Sequence, residues 1–543
     1  MTTAQTKTKP AIDGAMLMKR AEDAFTLKTP WQAVLREMFA LTMAARNPYD
    51  TQKTGLVSLN SQFDATAPMS LFKATNRLMS ELVPADQNWL ELDVGPVLAN
   101  KLSDQQKQQY RQLLTATTNI AHTVFDGSNF INAQWEAFME MLGGIMGCML
   151  VLEDPDDDLA PVNFECVSQK EVAIELDGKG KICGVYRRRD AIKIRNITTV
   201  WADAKLPKDL QDQLKNAKGG KNSDPSCELT EATYRIPKSG GKWAYIVLYK
   251  GGKGSDPAQL VYREYDENPW IIYQWSRMPN SPYGPGPGIL LLPAIRMVNK
   301  VRQMIVMNAA LALAGMYLAK DDGVLNIDGI QIVQGGIIPV ASTGGTSGAS
   351  LAPLPTGRDF NLAQIILKEE QDVIRAGLFD NGLPDPSEGV RSPTEILERV
   401  RELAQDVGGA IGRLTRALVD LVNRVLGILA RRGLVPKINI DQFNYKAVIK
   451  SPLARAQQLQ EVQTALQFWQ MAVSIVGPAV AAMLVDVEQM VQWISERMGI
   501  SQSLMRDDAD KAQIQNTIAQ LAGSAAKLGQ IPQAPPSAIP AAA

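Results

Sequence analysis

Histidine is almost missing from these 543 residues; the one copy is His122. Most nucleophilic and general-base chemistry goes with it, because a Ser-His-Asp or Cys-His system would have to be built on that one side chain. His122 lies mid-helix between Ala121 and Thr123 and reads as structural. Cysteine is scarce as well. Cys148, Cys166, Cys183 and Cys227 lie far apart with no CxxC spacing, which argues against a zinc site and reads as four reduced thiols in a protein made in a reducing cytoplasm. Neither sign of charge prevails: 56 Lys and Arg face 57 Asp and Glu, a net charge of −1. A protein that coats nucleic acid indiscriminately would be visibly basic. No apolar signal core precedes Ala11, so secretion is not expected. The most apolar run, Met304 to Ala319, falls short of the ~20 residues a membrane span needs and contains Asn308. It reads as a helix buried against protein.

Other chemistry is excluded by spacing. There is no GxxxxGK[ST] motif for a nucleotide motor. Glu153-Asp-Pro-Asp-Asp-Asp158 lacks the glycine and twelfth-position Glu of an EF-hand in register and reads as a solvated acidic turn. Gly284, Gly286 and Gly288 superficially resemble a phosphate loop, but Pro285 and Pro287 remove backbone donors, so the stretch reads as a hinge. No catalytic residue, cofactor or metal ligand set is expected.

What the chain does have is a strongly punctuated central stretch, residues 284–431. The run Ser281-Pro-Tyr-Gly-Pro-Gly-Pro-Gly288 sets the start of a helix from about Ile289 to Tyr317, and Lys320-Asp-Asp-Gly323 reads as the turn that ends it. Residues 324–359 carry short β-like runs, Val324-Leu-Asn-Ile, Ile330-Gln-Ile-Val and Gly336-Ile-Ile-Pro-Val. Residues 360–378 return to helical spacing, and Phe379 to Arg391 is irregular. Ser392-Pro-Thr-Glu395 then forms a capping box with Pro at the first helical position. Apolar residues at 400, 403, 407, 411, 414, 418, 421, 425 and 428 place one stripe on the helix that follows. It stops at Arg431-Arg-Gly433 after roughly 55–60 Å. That is more than one domain core needs, and suits packing between neighbouring copies.

Before this stretch, residues 1–13 read as a loose arm and 14–46 as helical, with Pro30 breaking or restarting the run. Met69 to Leu82 is helical, and Trp89-Leu-Glu-Leu-Asp-Val94 alternates as a strand. Ser103-Asp-Gln-Gln106 caps a helix ending near Asp126-Gly127, and 131–147 is another. Residues 148–275 form an antiparallel β region, interrupted by a short helix from Pro207 to Asn216. After it, Tyr445-Lys-Ala-Val-Ile449 reads as a strand, Pro452 starts a helix broken at Gly477-Pro478, and 507–527 is a last helix. The final residues, rich in Pro and Ala, are expected to be disordered.

The order of these elements, with the Ser281-Pro-Tyr-Gly284 turn and the stretch from Phe63 to Leu92, resembles the portal, or head-to-tail connector, of short-tailed double-stranded DNA phages over roughly residues 15–500. The resemblance implies a predominantly helical α+β portal fold assembled as a ring, usually of twelve. It implies a wing over 14–283 and 392–451, stem helices over 284–318 and 360–378, a clip over 319–359, a tunnel loop over 379–391, and a crown over 452–527 before a tail at 528–543. It implies a virion protein at the capsid vertex, assembled in the host cytoplasm. Its partners would be copies of itself, duplex DNA in the channel, the large terminase subunit, tail and adaptor proteins, and capsid and scaffolding proteins. Candidate channel-facing residues are Arg391, Asn381, Glu388, Arg358 and Lys368; candidate docking residues of the clip are Asp328, Gln331 and Gln334. One Arg391 per copy in a projecting loop would make a ring of positive charge. The clusters Arg187-Arg-Arg189, Arg296/Lys300/Arg302 and Arg431/Arg432 read singly as solvated faces or helix-end charge. The alternatives are a membrane-associated pore or scaffold using Met304–Ala319, and an enzyme acting on nucleic acid or cell wall, which the lone histidine disfavours.

Overall fold

A computed structural model describes residues 13–49, 62–85, 88–314, 317–320, 337–340, 351–353, 360–380, 393–450 and 452–477, with a few residues between 485 and 494 and short breaks at 156, 158–159, 218–224, 238, 252–255 and 439. Two units are distinguished, Met1–Ser451 and Pro452–Ala543. Helix and antiparallel sheet are mixed in the first; the second contributes helix α12 (Pro452–Val476).

The first helix, α1 (Gly14–Thr42), runs straight through Pro30, where sequence reasoning put a break. Its first half lays Leu17, Ala21, Ala24 and Phe25 into a cluster beneath one sheet, and its second half lays Leu35, Met38 and Phe39 into the main core. Burial at both ends outweighs the ~3 kcal/mol an interior proline costs. Helix α2 (Thr66–Leu82), strand β1 (Leu90–Val94), the single turn α3 (Pro96–Ala99), α4 (Asp104–Gly127) and α5 (Phe130–Gly143) follow. The Ser103 capping box forms as expected, with Gln106 N–H donating to Oγ at 3.4 Å and Ser103 N–H donating to the Gln106 side chain at 3.0 Å. His122 is buried in α4 with Nε2 3.2 Å from the Leu90 carbonyl and its ring edge-on to Trp89, so it ties α4 to β1. The fifth helix stops at Gly143, four residues earlier than its apolar pattern indicates, because Gly147 already begins a strand.

The β region divides into two sheets. Strand β2 (Gly147–Glu153) is central in one, flanked antiparallel by β3 (Val162–Val167) and β9 (Trp270–Tyr273). The other is a five-stranded antiparallel meander of β4 (Val172–Leu176), β5 (Ile182–Lys193), β6 (Ser226–Arg235), β7 (Trp243–Tyr249) and β8 (Ala258–Tyr265). Two helices interrupt it, α6 (Ile194–Val200) and α7 (Lys208–Ala217). The α6 segment is β-branched and gives no helical signal; burial of Ile194 and Ile197 with Trp201 decides it.

Next come α8 (Pro287–Leu290) and α9 (Leu292–Ala314), then β10 (Tyr317–Lys320), β11 (Ile337–Val340) and β12 (Leu351–Pro353). The expected helix to Tyr317 is therefore too long. Tyr317–Lys320 is a strand, central between β11, which runs parallel, and β12, which runs antiparallel. Its partners lie too far along the chain for local periodicity to reveal them. Pro339 is accommodated because β11 is an edge strand. The expected runs at 324–327 and 330–333 lie outside the described residues, as do 1–12 and 501–543.

Helix α10 (Phe360–Gly377) matches its expected range, and α11 (Pro393–Arg431) is one continuous helix of 39 residues. Its stop is the expected glycine: Gly433 takes φ +74°, while Leu434 N–H donates to Leu429 O at 3.0 Å and Gly433 N–H to Ala430 O at 3.1 Å. The expected stripe is present from residue 411 on, but it is wider and packs on its own chain. Leu414, Leu418, Leu421, Val425 and Ile428 are fully buried, and Val422, Leu426 and Leu429 widen the apolar face. The C-terminal half of α11 is thus core of its own chain, packed on β2 and β9, and is not held open for a neighbour. Strand β13 (Tyr445–Ile449) then pairs antiparallel with β1, closing residues from the two ends of this unit into one ribbon.

Candidate functional site

Three elements converge where α8 and α9 leave the core. The first is the turn before them. Tyr283 is fully buried and its hydroxyl accepts from Ile174 N–H at 3.1 Å. Gln274 donates to Pro282 O and Ser276 to Pro285 O, both at 2.6 Å, and Gly286 N–H donates to Gly144 O at 2.8 Å. The glycines here serve close approach. A Cβ on Gly284 would lie 2.5 Å from Ser276 O, one on Gly288 2.5 Å from the Met38 methyl, and one on Gly286 would meet the Met141, Gly144 and Leu142 carbonyls together. None of the three has positive φ. The hinge expected from Gly and Pro is therefore a packed wedge.

The second element is the end of α10. Asp380 N–H donates to Arg375 O at 2.8 Å and Phe379 N–H to Ala376 O at 3.0 Å, a helix stop that normally places glycine where Phe379 sits. Phe379 takes φ +57°, a conformation that costs a non-glycine residue of order 1 kcal/mol. Its surroundings hold it there. Arg77 donates to Phe379 O at 3.0 Å, and the ring lies 5.6 Å from that of Trp275, whose carbonyl receives Arg413 at 3.0 Å. The Asp380 carboxylate accepts from Ser70 Oγ at 2.8 Å and from Lys73 Nζ at 2.9 Å, both on α2. Nearby, Gln371 donates to Asp64 at 2.8 Å, Phe63 N–H to Asn299 at 2.7 Å, and Arg296 pairs twice with Glu37 at 2.7 Å. The root of residues 381–391 is thereby fastened to α2, and α9 and α10 to the segments flanking it. The sequence carried no signal for these pairings; Phe379-Asp380 looks like any loop start.

The third is a buried polar cluster behind the wedge. Lys28 Nζ donates to Gln169 O and, at 2.6 Å, to Val172 O. Gln169 N–H donates to the Glu140 carboxylate at 2.7 Å, and its side chain bridges Glu140 O and Ile145 N–H at 3.0 Å each. This fixes residues 141–144, of which Gly144 O accepts the Gly286 N–H and the Met141 and Leu142 carbonyls lie close beside Gly286. Burial pushes Glu140 up to about 7, partly opposed by the Gln169 N–H, and pushes Lys28 down to about 8. Between 4.5 and about 7 the folded chain keeps a proton on Glu140 that the unfolded chain has released. Stability from this group therefore falls as pH rises through that window. Lys28 acts above about 8, where stability rises with pH towards its unfolded value. Glu140→Gln is expected to stabilise the chain by roughly 2–3 kcal/mol at pH 7.5 and by little at pH 5. Thermal unfolding at both values measures it; an equal gain at both would remove charge as the cause.

Of the residues singled out by sequence, Lys368 lies exposed on α10. Arg391, Asn381, Glu388, Arg358, Asp328, Gln331 and Gln334 lie outside the described residues. Of the arginine clusters, Arg296, Lys300 and Arg302 lie exposed on α9 and Arg431/Arg432 stand at the end of α11, as expected, but Arg187-Arg-Arg189 is not a solvated face. Arg187 is buried among Glu165 at 2.8 Å and Glu171 at 3.0 Å, with Glu231 at 3.8 Å, and Arg188 lies 4.1 Å over the Phe25 ring. Burial would raise Glu165, but the Arg187 and Arg189 guanidiniums hold it below the ordinary carboxylate range. Arg432 pairs with Glu153 at 2.9 Å, so the acidic turn serves partly to receive the end of α11. Among the described residues no group of His, Cys, Asp and Glu could hold a metal ion, and no helix is long and apolar enough to cross a membrane.

No curated protein matches the sequence. Among solved structures, a chain in the neck of an empty gene transfer agent particle, computed with C6 symmetry, is similar at 11% identity and TM-score 0.37, covering 84% of this chain and 98% of that one. A chain of the native gene transfer agent virion is similar at 11% and 0.33, covering 78% and 91%. One in the native neck, computed with C12 symmetry, is similar at 12% and 0.31, covering 83% and 98%. The decisive match is to a sequence family, described as bacteriophage head to tail connecting protein, over residues 15–505. That span takes in the wedge, the α9–α10 pair, the clamped root at Asp380 and all of α11, and the chain belongs to the bacteriophage head-to-tail connecting proteins.

Proposed function

We propose that this connector works as a portal: copies close into a ring at one capsid vertex, and duplex DNA passes through the centre during packaging and ejection. In this reading α9 and α10 are the stem, β10 to β12 belong to the clip that meets the packaging motor and then the tail, and residues 381–391 are the tunnel loop. Helix α11 belongs to the wing and α12 to the crown. The observation that carries the reading is the packing of α9 against α10, joined in sequence through the β10–β12 sheet at one end and fastened to α2 through Asp380 at the other. A loop meant to touch moving DNA needs a firm root, and the strained, over-determined Phe379-Asp380 corner supplies one.

Charge agrees with the reading. A net charge of −1 leaves a wall along which phosphates can slide, since a strongly basic wall would hold them through counterion release. A few cations ringed by symmetry suffice to retain DNA. Arg391→Ala is expected to leave assembly intact and to lower DNA retention in a packaging assay; unchanged retention would remove it from the channel. Electron microscopy of the purified protein in end view tests the function itself. Rings with an opening wide enough for a duplex support it, and single particles or a closed centre overturn it.

A further inference from the structure

Among the described residues, the α9–α10 pair leaves two outward faces exposed. On α9, Met297, Lys300, Met304 and Met307 recur at steps of three and four and so share one face. The three methionines are 48, 51 and 53% exposed, whereas Leu292, Ile295 and Val298 on the other side are buried in the core. On α10, Ile365, Glu369 and Val373 recur at steps of four, with Ile365 and Val373 55 and 51% exposed, while Leu367 and Ile374 face inward. Each face is an apolar stripe holding one charge without an ion-pair partner among the described residues, Lys300 on α9 and Glu369 on α10, and the two are opposite in sign. Of the charges beside them, Arg296 is paired with Glu37 and Asp372 with Arg375, and Lys368 is exposed. The ninth helix contains no Asp or Glu at all. The Lys300 ammonium donates to Gln303 at 3.1 Å and, among the described residues, meets no carboxylate; Glu369 likewise has no ion-pair partner there.

We propose that the α9 face of one copy seats on the α10 face of the next, with Lys300 opposite Glu369 and the methionines packed around Ile365 and Val373. This rests on the ring reading above. The two faces are different surfaces of one chain, so their contact is head-to-tail; repeated, it closes a ring where a self-complementary face would stop at a dimer. Unbranched methionine adapts to a β-branched partner surface. Duplex DNA suits the α9 face poorly, because methionines offer phosphates nothing and the adjacent Arg296 is already engaged by Glu37.

Charge exchange tests the contact. Lys300→Glu and Glu369→Lys are made singly and together in the full chain, with Met304→Asp as an apolar counterpart. Assembly is read by mass photometry and end-view microscopy against the unaltered chain. Each single change and Met304→Asp is expected to raise the concentration needed for assembly at least tenfold at low salt, with the melting temperature of the unassembled chain unchanged. The double exchange is expected to restore most of the loss. Single variants that assemble normally, or a double exchange no better than either single, overturn the proposal while leaving the ring reading standing. Rings of Lys300→Glu that form normally but fail to retain DNA overturn it too, placing Lys300 on the bore. If the unaltered chain forms no rings, the ring reading fails and takes the contact with it.

Discussion

Gly286→Ala is expected to destabilise the chain by ~3 kcal/mol, because its Cβ would be driven into three main-chain carbonyls at once. Those of Gly144 and Leu142 lie 2.5 and 2.8 Å from the position it would take, and that of Met141 is also in contact. Main-chain atoms cannot turn aside as a side chain can. The backbone at Gly286, φ −74° and ψ 167°, is open to any residue, so the cost is wholly one of space. Relieving it requires the wedge to lift from the end of α5, which shifts the entry of α8 and α9. Gly412→Ala in α11 is the control: a Cβ there meets nothing within 4 Å. It is expected to gain roughly 0.5–1 kcal/mol, as alanine does over glycine in a helix. Thermal unfolding of the two variants should move in opposite directions. A Gly286→Ala chain that melts with the unaltered one would restore the hinge interpretation of this turn.

Glu267→Ala is expected to cost roughly 3 kcal/mol, and more than Arg424→Met. Arg424 is fully buried two turns before the end of α11. Its Nε donates to Val151 O at 3.2 Å, Nη1 reaches Glu267 at 3.4 Å, and the guanidinium lies 4.2 Å over the Tyr265 ring. Its Nη2 has no hydrogen-bond partner. Burial lowers its pKa against the pull of Tyr265 and Glu267. Gly427, one turn on, leaves room for the Glu267 carboxylate, which Arg431 shares at 3.3 Å. Removing Glu267 strands a buried cation, whereas Arg424→Met removes that cation and its unmatched donor and fills the volume with apolar atoms. The methionine variant should therefore lie within ~1 kcal/mol of the original. Chemical denaturation at neutral pH gives both values. If Arg424→Met proves the costlier change, Arg424 matters for its bonds and packing and the stranded-charge argument fails.

Local rules reach some of this protein and stop short of the rest. The capping box at Ser103, the Gly433 stop, the strands Leu90–Val94 and Tyr445–Ile449, and the ranges of α10 and α11 are written in residues a few positions apart, so they are legible in the sequence. Tertiary contacts decided what those rules misjudged. Helix α1 survives Pro30 because two different cores grip its ends, and Tyr317–Lys320 leaves α9 because two distant strands pair with it. The candidate site belongs to the second group. Asp380 finds Ser70 and Lys73 some 310 positions away, and the Gly286 wedge exists only because the end of α5 lies against it. Periodicity and capping are set by neighbours on one strand or helix, whereas close approach and ion pairing depend on which surfaces the fold brings together.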